Sequence, residues 1–303
     1  MRIAVSAAGT AGAAVSLPVS LTVYTSTSSP LSKSYSLADG RIEKTAAAHM
    51  TAGSARLVEV PFSALGDLFD SLGPDEATGY GLFDAEHTRI AVAKKAKPPE
   101  LLARTKEHCH YRTRPGVLML DHDPHPRGTS MRPDELLATI VDIVPGLADA
   151  AVLTRASVSA GVRIAGHDAS PPAGGYHIYI PVADASDIPR VGAALFRRLW
   201  LTGHGYIALA RNGATLVRTC IDAAVFAAER LDFTGRPVIG DGLEWTPPAG
   251  EYRHGGYLDT TALPDLSDAE NAAYDALVAA AKTAAQPDAD KQHRAWLDVH
   301  AAS

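Results

Sequence analysis

Cysteine is rare in this sequence of 303 residues, and neither a membrane-length apolar run nor a P-loop is found in it. Cys109 and Cys220 are far apart, which argues against a disulfide framework or a Cys-x-x-Cys zinc clip and makes the cytoplasm the expected compartment. No span reaches the roughly 18 consecutive apolar residues of a membrane helix, so a transmembrane protein is not expected. Without a Gly-x-x-x-x-Gly-Lys-Ser/Thr run, this chain carries no P-loop of its own.

What is present is a globular composition, with 46% hydrophobic and 20% charged residues. The net charge is −6, but its distribution is uneven. The segment from Arg89 to Pro115 contains eight basic and two acidic residues, a local charge of +6, whereas residues 258–303 carry a net charge of −5. The basic band fits either a nucleic-acid groove or a solvated face, and charge alone does not choose between them.

Hydrophobic patterning indicates a mixed α/β enzyme with a helical tail. We predict a hairpin over residues 36–43 around Asp39-Gly40, and a second hairpin whose strands, 157–164 and 176–182, flank a long Gly- and Pro-rich loop. Further strands are expected at 21–24, 117–120 and 214–221. Helices are expected at 61–72, 133–144 and 188–202, and from a capping box at Ser267 and Glu270 to about Ala285.

Two carboxylates follow the buried strand 117–120. Strand alternation sends Asp121 and Asp123 to the same face, where like charges repel and call for a divalent cation or an arginine partner. The alternative is a pair of Asp side chains that cap a turn before Pro124.

Two other strands carry polar groups on one face. His177 shares a face with Tyr179, and we expect Ser157 and Ser159 on the facing strand to come within reach of it; hydroxyls and an imidazole beside glycines suit a phosphate. A satisfied, half-buried histidine is the plainer interpretation.

The third polar element is a strand that ends in a carboxylate. Arg218 and Asp222 share a face at the end of strand 214–221, although Asp222 also suits a helix cap. The recurrence of carboxylates at two strand ends, together with His177 and Arg218, is typical of a two-metal phosphoryl-transfer site.

These elements, in this order, resemble the archaeo-eukaryotic primase superfamily, specifically the primase-polymerase domains of plasmid and phage replication proteins. The resemblance rests on Asp121-His122-Asp123, Gly175-Tyr176-His177 and Ile221-Asp222, and spans about Leu21 to Glu244. It implies an α+β fold, in which an RNA-recognition-like antiparallel sheet joins a second α/β unit and the active site lies between them. Residues 1–20 would be a disordered lead-in, 21–255 the primase-polymerase domain and 256–303 a helical C-terminal extension.

The resemblance also implies template-directed nucleotide addition on single-stranded DNA. Asp121, Asp123 and Asp222 would hold two Mg²⁺ or Mn²⁺ ions, and His177, assisted by Arg218, Ser157 and Ser159, would bind the nucleoside triphosphate. We expect Lys94, Lys95 and Lys97 to bind the DNA template. A helicase domain or protein would be supplied elsewhere, so the chain is a stand-alone primase or the front portion of a longer replication protein.

One position departs from the family. The second motif often reads Ser-x-His, but Gly175 stands where that serine would be, and we expect Ser157 or Ser159 to replace its hydroxyl. Two alternatives to a polymerase stay open. One is a metal-dependent phosphohydrolase or nuclease, in which the same carboxylates would serve attack by water instead of by a primer hydroxyl. The other is a non-catalytic origin-binding module.

Overall fold

A computed structural model of the chain describes residues 16–46, 50–128, 130–167 and 174–300. The α-helices are α1 Leu65–Ser71, α2 Pro133–Ile143, α3 Ile188–Leu201 and α4 Asp268–His300. The strands are β1 Pro18–Ser26, β2 Lys33–Ala38, β3 Arg41–Ala46, β4 Ala52–Pro61, β5 Glu76–Gly79, β6 His87–Ala91, β7 Leu102–Ala103, β8 Gly116–His122, β9 Val152–Ala156, β10 Val162–Ile164, β11 Tyr176–Val182, β12 Gly205–Leu209, β13 Thr215–Thr219, β14 Val238–Ile239, β15 Leu243–Trp245 and β16 Gly250–Arg253.

The sheet that carries the first two motifs has the strand order β16-β9-β11-β8 and is antiparallel throughout. One face is apolar: Leu118 and Leu120 of β8 and Ile180 of β11 pack with Ile140 of α2 and Leu195 of α3. The alternation of side chains along a strand therefore turns Asp121 of β8 and His177 and Tyr179 of β11 to the opposite face.

That opposite face meets a second unit, built on the sheet β5-β1-β4-β6-β7 and helix α1. The Ser20 amide of β1 donates to the Pro115 carbonyl oxygen, just before β8, at 3.1 Å. Phe69 of α1 packs on Tyr179 with ring centroids 5.0 Å apart. The polar face of the β8–β11 pair thus lies between the two units, while helices α2 and α3 cover its other side.

The predicted hairpin at Asp39-Gly40 is confirmed: β2 and β3 pair across these two residues, which both have positive φ angles of 50° and 71°. Such a two-residue turn matches the right-handed twist of its strands. The predicted strand 157–164 is confirmed only over Val162–Ile164, which forms β10, and the predicted hairpin with 176–182 is wrong. On the side away from β8, β11 pairs with β9, which ends at Ala156; the chain then forms a 3₁₀ turn over Val158–Gly161, and β10 pairs with β15.

The ends of the chain also differ from expectation. Strand β1 begins at Pro18, inside the predicted lead-in, of which residues 1–15 lie outside the described residues; so do residues 168–173 of the predicted loop before β11. The capping box at Ser267 and Glu270 is confirmed by reciprocal hydrogen bonds, and α4 continues to His300, well past the predicted end at Ala285.

The architecture is therefore α+β, with several small sheets and a C-terminal helix. Helix α4 packs on α3 and on the β12–β13 hairpin, where Ala285 joins Trp200 and Ile207 in a small apolar cluster. Among the described residues, the helices are too short or too polar to cross a lipid bilayer.

Candidate functional site

The pairing of β8 with β11 brings the first two predicted motifs together. Asp121 and His177 are direct cross-strand partners, and His177 Nε2 lies 3.4 Å from Asp121 Oδ1. Both side chains are largely buried, with 22% of Asp121 and 19% of His177 exposed. A carboxylate and an imidazole from motifs more than fifty residues apart thus share one small polar region.

These two side chains line a cavity of about 90 Å³, which we call the acidic cavity. Its charged and polar lining consists of Lys33, Asp121, Asp123, Ser157, His177, Arg230 and Asp232. Three acids and two basic side chains therefore face one another beside the imidazole, a set that can hold both a cation and an anionic ligand.

The electrostatics reflect this crowding. Burial raises the pKa of Asp121, and the like charges of Asp123, Asp232 and Asp222 raise it further, against the opposing effect of His177. A nearby positive charge would stabilise the ionised form of Asp121, since such a charge compensates for both the burial of the carboxylate and the repulsion by its acidic neighbours.

Asp232 is a functional candidate that the sequence motifs did not single out. Its side chain is only 1% exposed, and its Oδ1 lies 3.2 Å from His177 Nδ1. Burial disfavours the imidazolium, but the Asp232 carboxylate and, after it, Asp121 raise the pKa of His177 above its usual range. His177 is thus held between two carboxylates, which favour its positively charged form.

Lys33 is the second candidate that sequence reasoning missed. It lies at the start of β2, in a different sheet, and its Nζ donates to Ser157 Oγ at 3.4 Å. Burial lowers the pKa of Lys33, and Lys44 adds to that effect, while Asp123 and Asp121 oppose it. No local pattern around Lys33 signals this role, because only the packing of β2 against the β9–β11 region brings it here.

The predicted serines lie at the same place despite the error in their secondary structure. Ser157 lines the acidic cavity, and its hydroxyl lies 2.9 Å from that of Ser159. The Ser157 amide also donates to the Gly175 carbonyl oxygen at 2.8 Å. The two hydroxyls therefore form a pair beside Lys33, on the side of the sheet that His177 occupies.

A backbone hydrogen bond joins the third motif, at Asp222, to the first, at Asp121. The Asp222 amide donates to the Asp121 carbonyl oxygen at 2.9 Å. The Asp222 carboxylate, however, accepts from Arg218 Nη1 at 2.9 Å and from the Ala224 amide at 3.1 Å, so it also caps the short 3₁₀ helix Ala223–Phe226. The capping alternative therefore holds at this residue, and its carboxylate faces Arg218 rather than the acidic cavity.

Arg218 occupies a second cavity rather than the acidic one. This neighbouring cavity, of about 280 Å³, is lined by Arg218, Asp222, His125 and Tyr206, and it shares Asp123 with the acidic cavity. The predicted nucleotide-binding group is therefore divided: His177 and Ser157 lie on one side of Asp123, and Arg218 lies on the other.

The departure at Gly175 has a steric reason. A Cβ atom there would clash with Asp123 Oδ1 and would lie 2.7 Å from the His122 carbonyl oxygen. A serine at this position would therefore displace Asp123, because the Gly175 backbone packs directly against that side chain.

The predicted DNA-binding lysines lie apart from both cavities. Lys94 and Lys95 belong to an exposed 3₁₀ turn after β6, and Lys97 is exposed beside it. Elsewhere in the basic band, Arg112 pairs with Asp84 and Arg114 with Glu59, so part of the band's charge is neutralised within the chain.

The donor set of the acidic cavity fits a divalent cation, since Asp121 and Asp123 offer the carboxylate oxygens that Mg²⁺ and Mn²⁺ prefer. Across the described ranges, however, no three His, Cys, Asp or Glu side chains converge on one point that a metal ion could occupy. Asp222 is held by Arg218, so it would join the other two only after exchanging that partner.

No known protein-family model matches the sequence, and searches of curated proteins and of solved structures find no match either. The acidic cavity combines carboxylates for a cation with an imidazole, an ammonium and hydroxyls for an anion, which is the set of groups that phosphoryl transfer requires.

Proposed function

We propose that this chain is a DNA primase-polymerase of a plasmid or phage-like replication system, which adds nucleotides on a single-stranded DNA template. The observation that carries the proposal is the direct pairing of Asp121 with His177, 3.4 Å apart, in a cavity that also contains Asp123, Lys33 and Ser157. Acids for a metal ion and donors for a triphosphate thus lie within one small site.

Asp121 and Asp123 would hold Mg²⁺ or Mn²⁺, with Asp222 as the third carboxylate once it leaves Arg218. The ion would neutralise charge on the transferring phosphoryl group. The chain's own contribution is to bind and orient: His177, whose ring lies between Asp232 and Asp121, presents Nε2 towards the same side as the acids.

The basic side chains of the acidic cavity favour a polymerase, which binds a nucleoside triphosphate, over a nuclease. Lys33, Arg230 and His177 line the acidic cavity together with the Ser157 hydroxyl, so it offers several donors to a chain of phosphates. A nuclease needs to hold one phosphodiester and a water, whereas a polymerase must hold a triphosphate and its leaving pyrophosphate. The exposed Lys94, Lys95 and Lys97 would bind the template backbone.

The proposal is tested by incubating the full chain with single-stranded DNA, labelled nucleotides and Mn²⁺ or Mg²⁺, with and without a primer. Extended products that disappear in Asp121→Ala support it. DNA shortened in a metal-dependent way, without extension, would instead identify a nuclease, and DNA binding with neither reaction would identify a binding module.

A further inference from the structure

Asp232 has the geometry of a residue that orients another. Its backbone is fixed to β5, where the Asp232 and Thr78 amides each donate to the other's carbonyl oxygen, at 2.8 and 3.0 Å. Its carboxylate is buried among Tyr80, Tyr179 and His177. A carboxylate fixed at both backbone and side chain leaves its neighbours little freedom to rotate.

The two oxygens of Asp232 have different partners. Oδ2 accepts hydrogen bonds from the hydroxyls of Tyr80, at 2.6 Å, and Tyr179, at 2.9 Å. Among the described residues, Oδ1 is buried and accepts no hydrogen bond of good geometry, but it lies 3.2 Å from His177 Nδ1. The phenols therefore hold one oxygen while the other faces the imidazole ring.

The proton on His177 follows from this arrangement. A phenol has one proton, and that of Tyr179 is donated to Asp232, so the Tyr179 oxygen, 2.9 Å from His177 Nδ1, can only accept there. Nδ1 consequently carries a hydrogen, which it donates to the Tyr179 oxygen, while the Asp232 Oδ1 charge lies 3.2 Å from the same nitrogen. The nitrogen that remains for a ligand is Nε2, on the side of Asp121.

We propose that Asp232 is a positioning residue for His177: it fixes the hydrogen on Nδ1 and the rotation of the ring, so that Nε2 faces the substrate phosphates. This inference rests on the proposed function and deepens it. Asp232 itself lies behind the imidazole and need not contact the nucleotide.

The test compares Asp232→Asn, His177→Ala and the double variant in nucleotide affinity and in KM and kcat. Asp232→Asn keeps the size of the side chain but removes the charge that faces Nδ1. We expect it to weaken triphosphate binding by roughly tenfold or more, because a hydrogen bond to a charged group is removed or misaligned. In the His177→Ala background the same change should have little further effect, since Asp232 acts through the ring.

Tyr80→Phe is the matched control. It removes a hydrogen bond from the same carboxylate without touching His177, so we expect a lower melting temperature and a triphosphate KM within about twofold of the wild type. If Asp232→Asn behaves like Tyr80→Phe, or if its effect is undiminished in the His177→Ala background, Asp232 is only a structural residue and the inference is overturned.

A second measurement needs neither activity nor a folded Asp232 variant. Nitrogen-15 NMR of the wild-type protein should show that Nδ1 of His177 is protonated, with the imidazole signals assigned by their absence in His177→Ala. An unprotonated Nδ1 would contradict the inference. Failure of the proposed function has a different signature, since the wild type would then neither bind triphosphates nor extend DNA, whatever the state of Nδ1.

Discussion

Gly175 and Asp123 pack so closely that a side chain on the first would displace the second. A serine at 175 would match the Ser-x-His motif of the family that the sequence resembles, yet its Cβ would clash with Asp123 Oδ1 and with the His122 carbonyl oxygen. The glycine therefore preserves a proposed metal ligand.

We accordingly expect Gly175→Ser to reduce nucleotide addition rather than to improve it, and to lower the melting temperature. Gly256→Ala is the control, since a Cβ there would meet no atom within 4 Å. Primer extension and thermal unfolding measure both effects. An active, stable Gly175→Ser protein would show that Asp123 can move without consequence.

The three motif carboxylates should be essential for activity but unequal in their effect on stability. Asp121→Ala, Asp123→Ala and Asp222→Ala should each reduce nucleotide addition by about 100-fold or more, because each removes a ligand of the ion that stabilises the transferring group. Wild-type extension in any of them would remove that residue from the proposed site.

Their melting temperatures without metal provide a separate comparison. Asp123→Ala should hold or raise the value, since Asp123 is one of the like charges that raise the pKa of Asp121. Asp222→Ala should lower it, because the side chain caps the 3₁₀ helix Ala223–Phe226, an interaction worth about 1 kcal/mol in α-helices. An equal change of melting temperature in Asp123→Ala and Asp222→Ala would contradict these different roles of the two carboxylates.

Lys33 should contribute to triphosphate binding. Lys33→Met should raise the KM for nucleoside triphosphates by roughly tenfold, with a smaller effect on monophosphate binding, since fewer phosphates reach the ammonium. Lys282→Met, exposed on α4, is the control. If Lys33→Met instead tightens divalent-cation binding and leaves nucleotide affinity unchanged, Lys33 only balances the acidic charge.

The exposed lysines after β6 should determine the salt dependence of template binding. Replacing Lys94, Lys95 and Lys97 together by alanine should weaken binding to single-stranded DNA. The slope of log affinity against log salt should fall by about 0.7 for each DNA phosphate that the variant no longer neutralises. The matched control replaces Lys282, Lys291 and Arg294, which are exposed on α4. Equal slopes in the two triple variants would mean that the lysines near residue 95 are only a solvated surface.

Both thiols should be unreactive in the folded protein. Burial raises the pKa of Cys109 and of Cys220 to about 11 each, so at pH 8 only about one thiol in a thousand is ionised to the nucleophilic thiolate. We expect iodoacetamide to label neither residue in the native state and both in guanidinium, as followed by mass spectrometry. Rapid native labelling of Cys109 would contradict the burial of its thiol.

Local chemistry was sufficient to predict several features. The Asp39-Gly40 turn, helices α2 and α3 and the Ser267 capping box depend on backbone preferences and spacing within a few residues, which the sequence displays directly. Strand alternation likewise placed His177 and Tyr179 on one face, and both contact the same buried carboxylate. The prediction failed over 157–161, where the apolar spacing resembled one strand but a 3₁₀ turn redirects the chain.

The amino-acid sequence by itself determined which segments carry acids and histidine and which face of each strand they occupy, because the alternation of side chains along a strand and the preferences of turn residues are local properties. Only the tertiary structure decided which of these faces meet. The register of β8 against β11 placed Asp121 beside His177, the packing of β2 brought in Lys33, and the pairing near Thr78 buried Asp232 behind the ring. It also directed Arg218 to Asp222 in a separate cavity. Each of these contacts except the last joins residues far apart in the chain, and the free energy that selects them comes from burial and hydrogen bonding across the whole fold, which no short pattern encodes.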